Sequence, residues 1–176
     1  MPSSCSALCR YVSPLGGITL GSDSDRLTGL WFDGQTHYAS TLPNGCMENP
    51  SLPVFIQTIR WLDIYFAGNS PCFTPPIHLE NTPFRLAVWR ILQSIPYGTV
   101  VTYGNIASII ARQQGITHMS AQAVGNAVSH NPISIIIPCH RVIGTNGSLT
   151  GYTGGIARKQ ALLSIENTNI PCLRIP

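Results

Sequence analysis

Fifteen residues, NSPCFTPPIHLENTP from Asn69 to Pro83, hold four prolines. Proline lacks a backbone N–H and fixes φ, so no helix interior or central strand can run through such a stretch. Whatever forms before it must be built separately from what forms after it. The charge also changes here. Residues 1–81 carry three basic and six acidic side chains; residues 82–176 carry seven basic ones against Glu166 alone. A chain of 176 residues can bury one ordinary core or two small domains sharing an interface. The linker places the division between 1–81 and 82–176. The basic excess of the second part suggests that it faces a polyanion. The excess is small, so few phosphate contacts and a modest salt dependence are expected.

The first part reads as strands, turns and one helix. GGITLGSDSDRLTGLWFDG alternates weakly and is broken by Gly and Asp, as in hairpins. PVFIQTIRWLDIYFAG spaces Val54, Phe55, Ile59, Leu62, Tyr65 and Phe66 as a helix would, and Gly68 stops it.

The second part is mostly helical. In TPFRLAVWRILQSIP, Thr82 is an N-cap with Pro83 at the first helical position. Phe84, Ala87, Val88, Ile91, Leu92 and Ile95 form its apolar stripe. A short helix follows from about Tyr103, and another from the N-cap Ser120 to near Asn131-Pro132. Two short helices with a short connection resemble a helix-turn-helix. The second is rich in small residues, Ala121, Ala123, Gly125 and Ala127. These permit close helix packing, which residue type favours, or entry of the backbone into a narrow groove. A glycine-rich loop to Gly155 then leads into a helix with Ile156, Leu162, Leu163 and Ile165 inward.

No apolar run reaches the roughly 18 residues of a membrane span, and MPSSCSALCRYVSP lacks the pattern of a secretory signal. A cytoplasmic location is expected. The six cysteines are irregularly spaced without a C-x-x-C pair, which argues against a disulfide framework. Cys5, Cys9 and His37 match no standard zinc spacing, so no metal is expected.

The reactive groups gather in SIIIPCHRVIG, Ser134 to Gly144. The isoleucines read as a buried strand or core element, yet they deliver a thiol beside an imidazole and a guanidinium. A free cysteine has a pKa near 8.5, so a nucleophilic one needs a base, and the base an orienting group. His140 is adjacent to Cys139; in a turn, or through one water, a relay between them is feasible. Glu166 is the one carboxylate of the second part and so the candidate third member. Against this stands the common case of a buried cysteine that only packs.

PCHRV (Pro138–Val142), between NPISIII and IGTNGSLTGYTGG, resembles the active-site signature of the O6-alkylguanine-DNA alkyltransferases. The likeness runs through FRLAVWRILQSIPYGTVVTYGNIA, AVGNAVSHNP and LLSIE, covering about residues 82–168; the N-terminal part matches only in general character, chiefly WLDIYFAG. It implies an α/β N-terminal domain, a small antiparallel sheet with helices of ribonuclease H-like type. It implies a mostly α-helical C-terminal domain with a winged-helix-like helix-turn-helix. The implied activity is stoichiometric transfer of the alkyl group from O6-alkylguanine in double-stranded DNA to a cysteine, by a monomer without cofactor. O4-alkylthymine is a further candidate substrate.

By this resemblance Cys139 is the alkyl acceptor, His140 the water-mediated base and Glu166 the carboxylate that orients it. Asn131 braces the turn between recognition helix and active site. Tyr103 turns the target phosphate and donates to the flipped guanine. Tyr152 lines the alkyl pocket, with Thr153 and Gly154 beside it, the Thr153 amide meeting the guanine oxygen. The carbonyls of Cys139 and Val142 read the exocyclic amine. Gln122, flanked by Ala121 and Ala123, meets DNA, with Arg141 a phosphate contact or a structural group. The chemistry requires an extruded base, because a stacked one hides its O6 substituent. The thioether product resists hydrolysis, so one protein molecule would be consumed per lesion.

The family often has arginine where this chain has Gln122. Glutamine is uncharged, but it can still insert and hydrogen-bond the orphaned base. Two other readings compete. A Cys-His-Glu hydrolase or acyltransferase would turn over repeatedly. A non-enzymatic helix-turn-helix regulator would keep its activity without Cys139.

Overall fold

The computed structural model describes residues 6–168, which fall into two compact units. The first holds the chain to Leu79 together with Pro132–Ser134; the second holds Glu80–Asn131 and the chain from Ile135 on.

In the first unit, strands β1 (Ala7–Ser13), β2 (Gly16–Ser22) and β3 (Leu27–Phe32) form an antiparallel meander. A fourth strand, β4 (Met47–Glu48), pairs with β1 in parallel, giving the order β3-β2-β1-β4. The sheet is therefore mixed, not purely antiparallel as expected. The residues between β3 and β4 carry the chain across to the far edge, where two residues suffice to pair. No alternating pattern marks so short a strand. Helix α1 (Pro53–Phe66) buries Val54, Phe55, Thr58, Trp61, Leu62 and Tyr65. Thr58 fits an apolar face because its hydroxyl donates to the Val54 carbonyl at 2.7 Å. Gly68, at φ +82°, takes the left-handed conformation just past the helix end.

The free edge of β3 is covered by two segments. Leu27 donates to the Pro76 carbonyl and accepts from His78, each at 2.8 Å. Leu30 donates to the Pro132 carbonyl and accepts from Ser134, each at 2.9 Å. Proline suits such edges because only its carbonyl is required.

The second unit runs α2 (Pro83–Gln93), β5 (Val101–Thr102), α3 (Tyr103–Gln114), α4 (Ala121–Ser129), a 3-10 turn (Cys139–Arg141), β6 (Val142–Ile143) and α5 (Ile156–Ile165). Thr82 and Ser120 cap α2 and α4, accepting from Arg85 and Ala123. Thr102 and Asn105 form a reciprocal capping box on α3. Gly115, at φ +65°, ends α3 and starts the connection to α4. Trp89 of α2 is fully buried and donates its indole N–H to the Ala127 carbonyl at 2.8 Å. The small side chain of Ala127 allows that approach. β5 and β6 pair in parallel and tie the start of α3 to the residues after Cys139.

Ser134–Ile137 is not a strand. It is a turn, with Ile135 buried at φ +68°. A β-branched residue rarely adopts that conformation, and surrounding packing must hold it there. Among the described residues no helix is long and apolar enough to cross a membrane. Of the trio Cys5, Cys9 and His37, from which no zinc site is expected, Cys5 lies outside the described residues, and Cys9 is buried in β1. No group of three or more potential metal ligands occurs among the described residues.

Candidate active site

The 3-10 turn fixes Cys139, His140 and Arg141 in three different environments. Cys139 is 3 % exposed. Asn131, just past α4, donates through Nδ2 to the sulfur at 3.2 Å and to the Ile137 carbonyl at 2.8 Å. Burial pushes the thiol above its ordinary range; the Asn131 bond and the Lys159 charge oppose that.

His140 is completely buried, with Nε2 at 2.6 Å from Glu166 Oε1. Its pKa is lowered, first by burial, although Glu166 pulls the other way. Glu166 closes α5 and is itself buried. Burial would raise its pKa, but the His140 and Arg141 bonds and charges outweigh that and hold it at about 2. Gly98 adds a backbone N–H to Glu166 Oε2 at 3.0 Å.

Of the two expectations for Arg141, a structural group or a phosphate contact, its bonds are those of a structural group. Nε and Nη2 grip Glu166 at 2.9 and 3.0 Å, and Nη1 donates to the Ile95 carbonyl at 2.6 Å. Its guanidinium also lies 5.7 Å from the centre of the Tyr97 ring. The residue next to the base is thus spent inside the network, because a buried carboxylate needs a paired charge.

A cleft of about 550 Å³ opens between α3, α4 and the loop after β6. Gln122, Ala121 and Tyr103 line it, with Asn126, Ser129 and Thr150 adding polar groups. Gln122 and Ala121 are exposed, whereas Val124, Ala127 and Val128 of the same helix are buried. The small residues divide between two places: Ala127 packs, and Ala121 and Gly125 face the cleft. Ala123 and Arg141 do not line it. Tyr103 is the first residue of α3, and its hydroxyl reaches the Thr150 carbonyl at 3.4 Å. Burial first, then the Cys139 charge, push its pKa up to about 12. It stays a proton donor at neutral pH.

Tyr152, Thr153 and Gly154 lie on the loop beyond Gly151 and do not line the cleft. Gly154 is buried, and a Cβ there would stand 2.6 Å from the Tyr152 ring. Val142 is buried, and its carbonyl accepts from Lys159 Nζ at 2.5 Å. A carbonyl has two lone pairs, so a second donor can still be accepted.

Lys159 is the group that sequence reasoning missed. It is 0 % exposed. Burial lowers its pKa to about 8, against the pull of Cys139. The signal lay in its place on α5, three residues after Ile156 and four before Leu163. A lysine on an apolar stripe is a buried charge.

Fold and site together define a class: a two-unit protein with a buried thiol held by an amide, a neighbouring histidine paired to a buried carboxylate, and a cleft formed by a helix pair. Comparison with known proteins narrows it. The profile of the 6-O-methylguanine DNA methyltransferase DNA-binding domain matches residues 83–168, and that of the family's ribonuclease-like domain matches residues 10–79. A methylated-DNA–protein-cysteine methyltransferase of Mycolicibacterium paratuberculosis is 43 % identical over 159 residues, 90 % of this chain and 91 % of that one. One of Methanosarcina acetivorans is 40 % identical over 90 % of this chain and 96 % of its own. The crystal structure of Mycobacterium tuberculosis OGT in complex with DNA superposes with a TM-score of 0.79 at 41 % identity, covering 91 % of this chain and 92 % of that one. The chain belongs to the methylated-DNA–protein-cysteine methyltransferase family.

Proposed function

We propose that Cys139 is the residue that takes the alkyl group, in a single transfer from O6-alkylguanine in duplex DNA. Repair by direct alkyl transfer is the function; the residue roles are our reading. The observation that carries them is the chain Asn131–Cys139 and His140–Glu166, held by one turn beside the cleft of α3 and α4.

The helix pair α3–α4, with the short β5–β6 pair, acts as a winged-helix-like reader of duplex DNA. Gln122 enters the stack and fills the gap as the damaged nucleotide swings out. Extrusion costs a few kcal/mol, and less for a poorly paired lesion, which favours damaged sites. The base lodges near Tyr103 and the loop of Thr150 to Gly154. The Cys139 proton passes through a water to His140 Nδ1, since Nε2 is committed to Glu166. The thiolate attacks the alkyl carbon, a C–S bond forms, and the C–O6 bond breaks. The electron pair goes to the guanine, which takes a proton with Tyr103 as donor.

The test is incubation with duplex labelled in the O6-methyl group. One label per protein, on the Cys139 peptide with a mass gain of one methylene unit, is the expected endpoint. Sustained turnover would overturn the reading and favour a hydrolase.

A further inference from the structure

A buried histidine beside a carboxylate ordinarily becomes more basic, because the ion pair stabilises the imidazolium. Such an imidazolium at rest could not accept the thiol proton. In this protein the carboxylate has a second cation on it. Arg141 grips Glu166 with two parallel bonds, Nε to Oε2 at 2.9 Å and Nη2 to Oε1 at 3.0 Å. Oε1 is the same oxygen that meets His140 Nε2 at 2.6 Å. Oε2 also accepts from the Gly98 N–H. The Arg141–Glu166 pair is already neutral, so protonating His140 would place a net positive charge in a fully buried site.

We propose that Arg141 is a positioning residue that shares Glu166 with His140, so that the imidazole rests neutral and ready to take the thiol proton. The proposal rests on the alkyl-transfer reading above. The charged and titratable groups near His140 act together. Cys139 and Arg141 share its turn, Glu166 and Lys159 come from α5 and its end, and Tyr97 lies in the segment after α2. Burial acts first against protonation of His140, and Arg141 and Lys159 add to it; Glu166 favours it. The Arg141 side chain is anchored independently by the Ile95 carbonyl at 2.6 Å, so the guanidinium is placed by the fold and not by the histidine.

The experiment compares R141M, which removes the charge at similar length, with R141K, which keeps the charge but not the fork. Single-transfer rates to Cys139 are measured across pH with O6-methylguanine duplex. In R141M the rising limb of the rate moves to higher pH by about one unit, a loss of about tenfold below the limb that recovers above it. In R141K the limb stays near its original place, and the rate falls to a similar degree at every pH. An R141M rate lowered equally at all pH values would show a structural role alone and overturn the proposal. Should R141M not fold, ¹⁵N-histidine NMR compares a C139S protein with C139S/R141Q, without alkyl transfer. A neutral His140 at pH 7 in the first and a shift of its titration to higher pH in the second are expected; an imidazolium in the first, or no shift in the second, would overturn the proposal. If the unsubstituted protein took no label at any pH, the alkyl-transfer reading would fail instead.

Discussion

The Asn131 amide donates to the sulfur of Cys139 and to the carbonyl of Ile137 with the same nitrogen, at 3.2 and 2.8 Å. One side chain therefore holds both the nucleophile and the strained turn that presents it. Asn131→Ala removes both bonds and leaves the Ile137 carbonyl buried without that donor. The cost expected is about 1–3 kcal/mol of stability, read by thermal or denaturant unfolding. The thiol also loses a bond that lowers its pKa, so alkyl transfer at neutral pH slows by more than the loss of folded protein explains. An Asn131→Ala protein with unchanged rate would separate the brace from the chemistry.

Glu166 links acid stability to the site. Its pKa falls from the ordinary 4.5 to about 2. A carboxylate depressed by folding contributes stability that is present above its unfolded value and lost as pH falls through the folded one. The protein should therefore lose stability between about pH 4.5 and 2. Glu166→Gln should be less stable at neutral pH and show a flatter curve across that window. Unfolding by denaturant at stepped pH checks this, and parallel curves for the two proteins would refute it.

Lys159 works in the opposite direction. Its pKa drops from 10.5 to about 8, so between these values the unfolded chain binds more protons than the folded one. Stability from this group rises with pH across that window. Lys159→Met should abolish the rise and cost little stability near pH 7, since replacing a buried charge by an apolar group is often neutral or better. It should nonetheless raise the Cys139 pKa, because a nearby cation is gone. Thiolate absorbance, taken as the difference from a Cys139→Ser protein, measures that shift.

Much of this was legible in the residues. The caps Thr82 and Ser120, the stop at Gly68 and the apolar faces of α1 and α2 follow from local rules of spacing and backbone freedom. The pairing of His140 with Glu166 followed from the need of a base for an orienting group, and from there being a single acid after residue 81. What stayed hidden depends on three-dimensional placement. Two residues of β4 carry no periodicity. Ile135 in a left-handed turn looks like strand until the packing is known. Arg141 read as a structural group or a phosphate contact, and its partner could not be named because Glu166 lies 25 residues away. Lys159 was visible as an exception on its helix face, yet only its contact with the Val142 carbonyl explains why it is tolerated.

Gly151 guards the position of Tyr103. It sits at φ +87°, and a Cβ there would lie 3.0 Å from the Tyr103 hydroxyl. Gly151→Ala is strained in backbone by about 1–2 kcal/mol and must also push the tyrosine aside. Thermal unfolding should register the first effect. A slower alkyl transfer, beyond what the stability loss explains, should register the second.

Gln122 offers the sharpest test of how this chain handles DNA. It is exposed near the start of α4 and lines the cleft, where the family often has arginine. An uncharged residue there gives no long-range attraction, so in the proposed reading its contribution comes from filling the stack and hydrogen-bonding the orphaned base. Gln122→Ala removes both, and alkyl transfer from duplex should fall about tenfold, the effect of losing 1.4 kcal/mol. Transfer from an O6-alkylated free base, which requires no extrusion, should be unaffected. Gln122→Arg should tighten duplex binding at low salt and steepen its salt dependence if the guanidinium meets a phosphate. Rates on duplex and free base, measured side by side, decide the matter. If Gln122→Ala slowed both equally, the residue would be shaping the pocket and not helping to turn out the base.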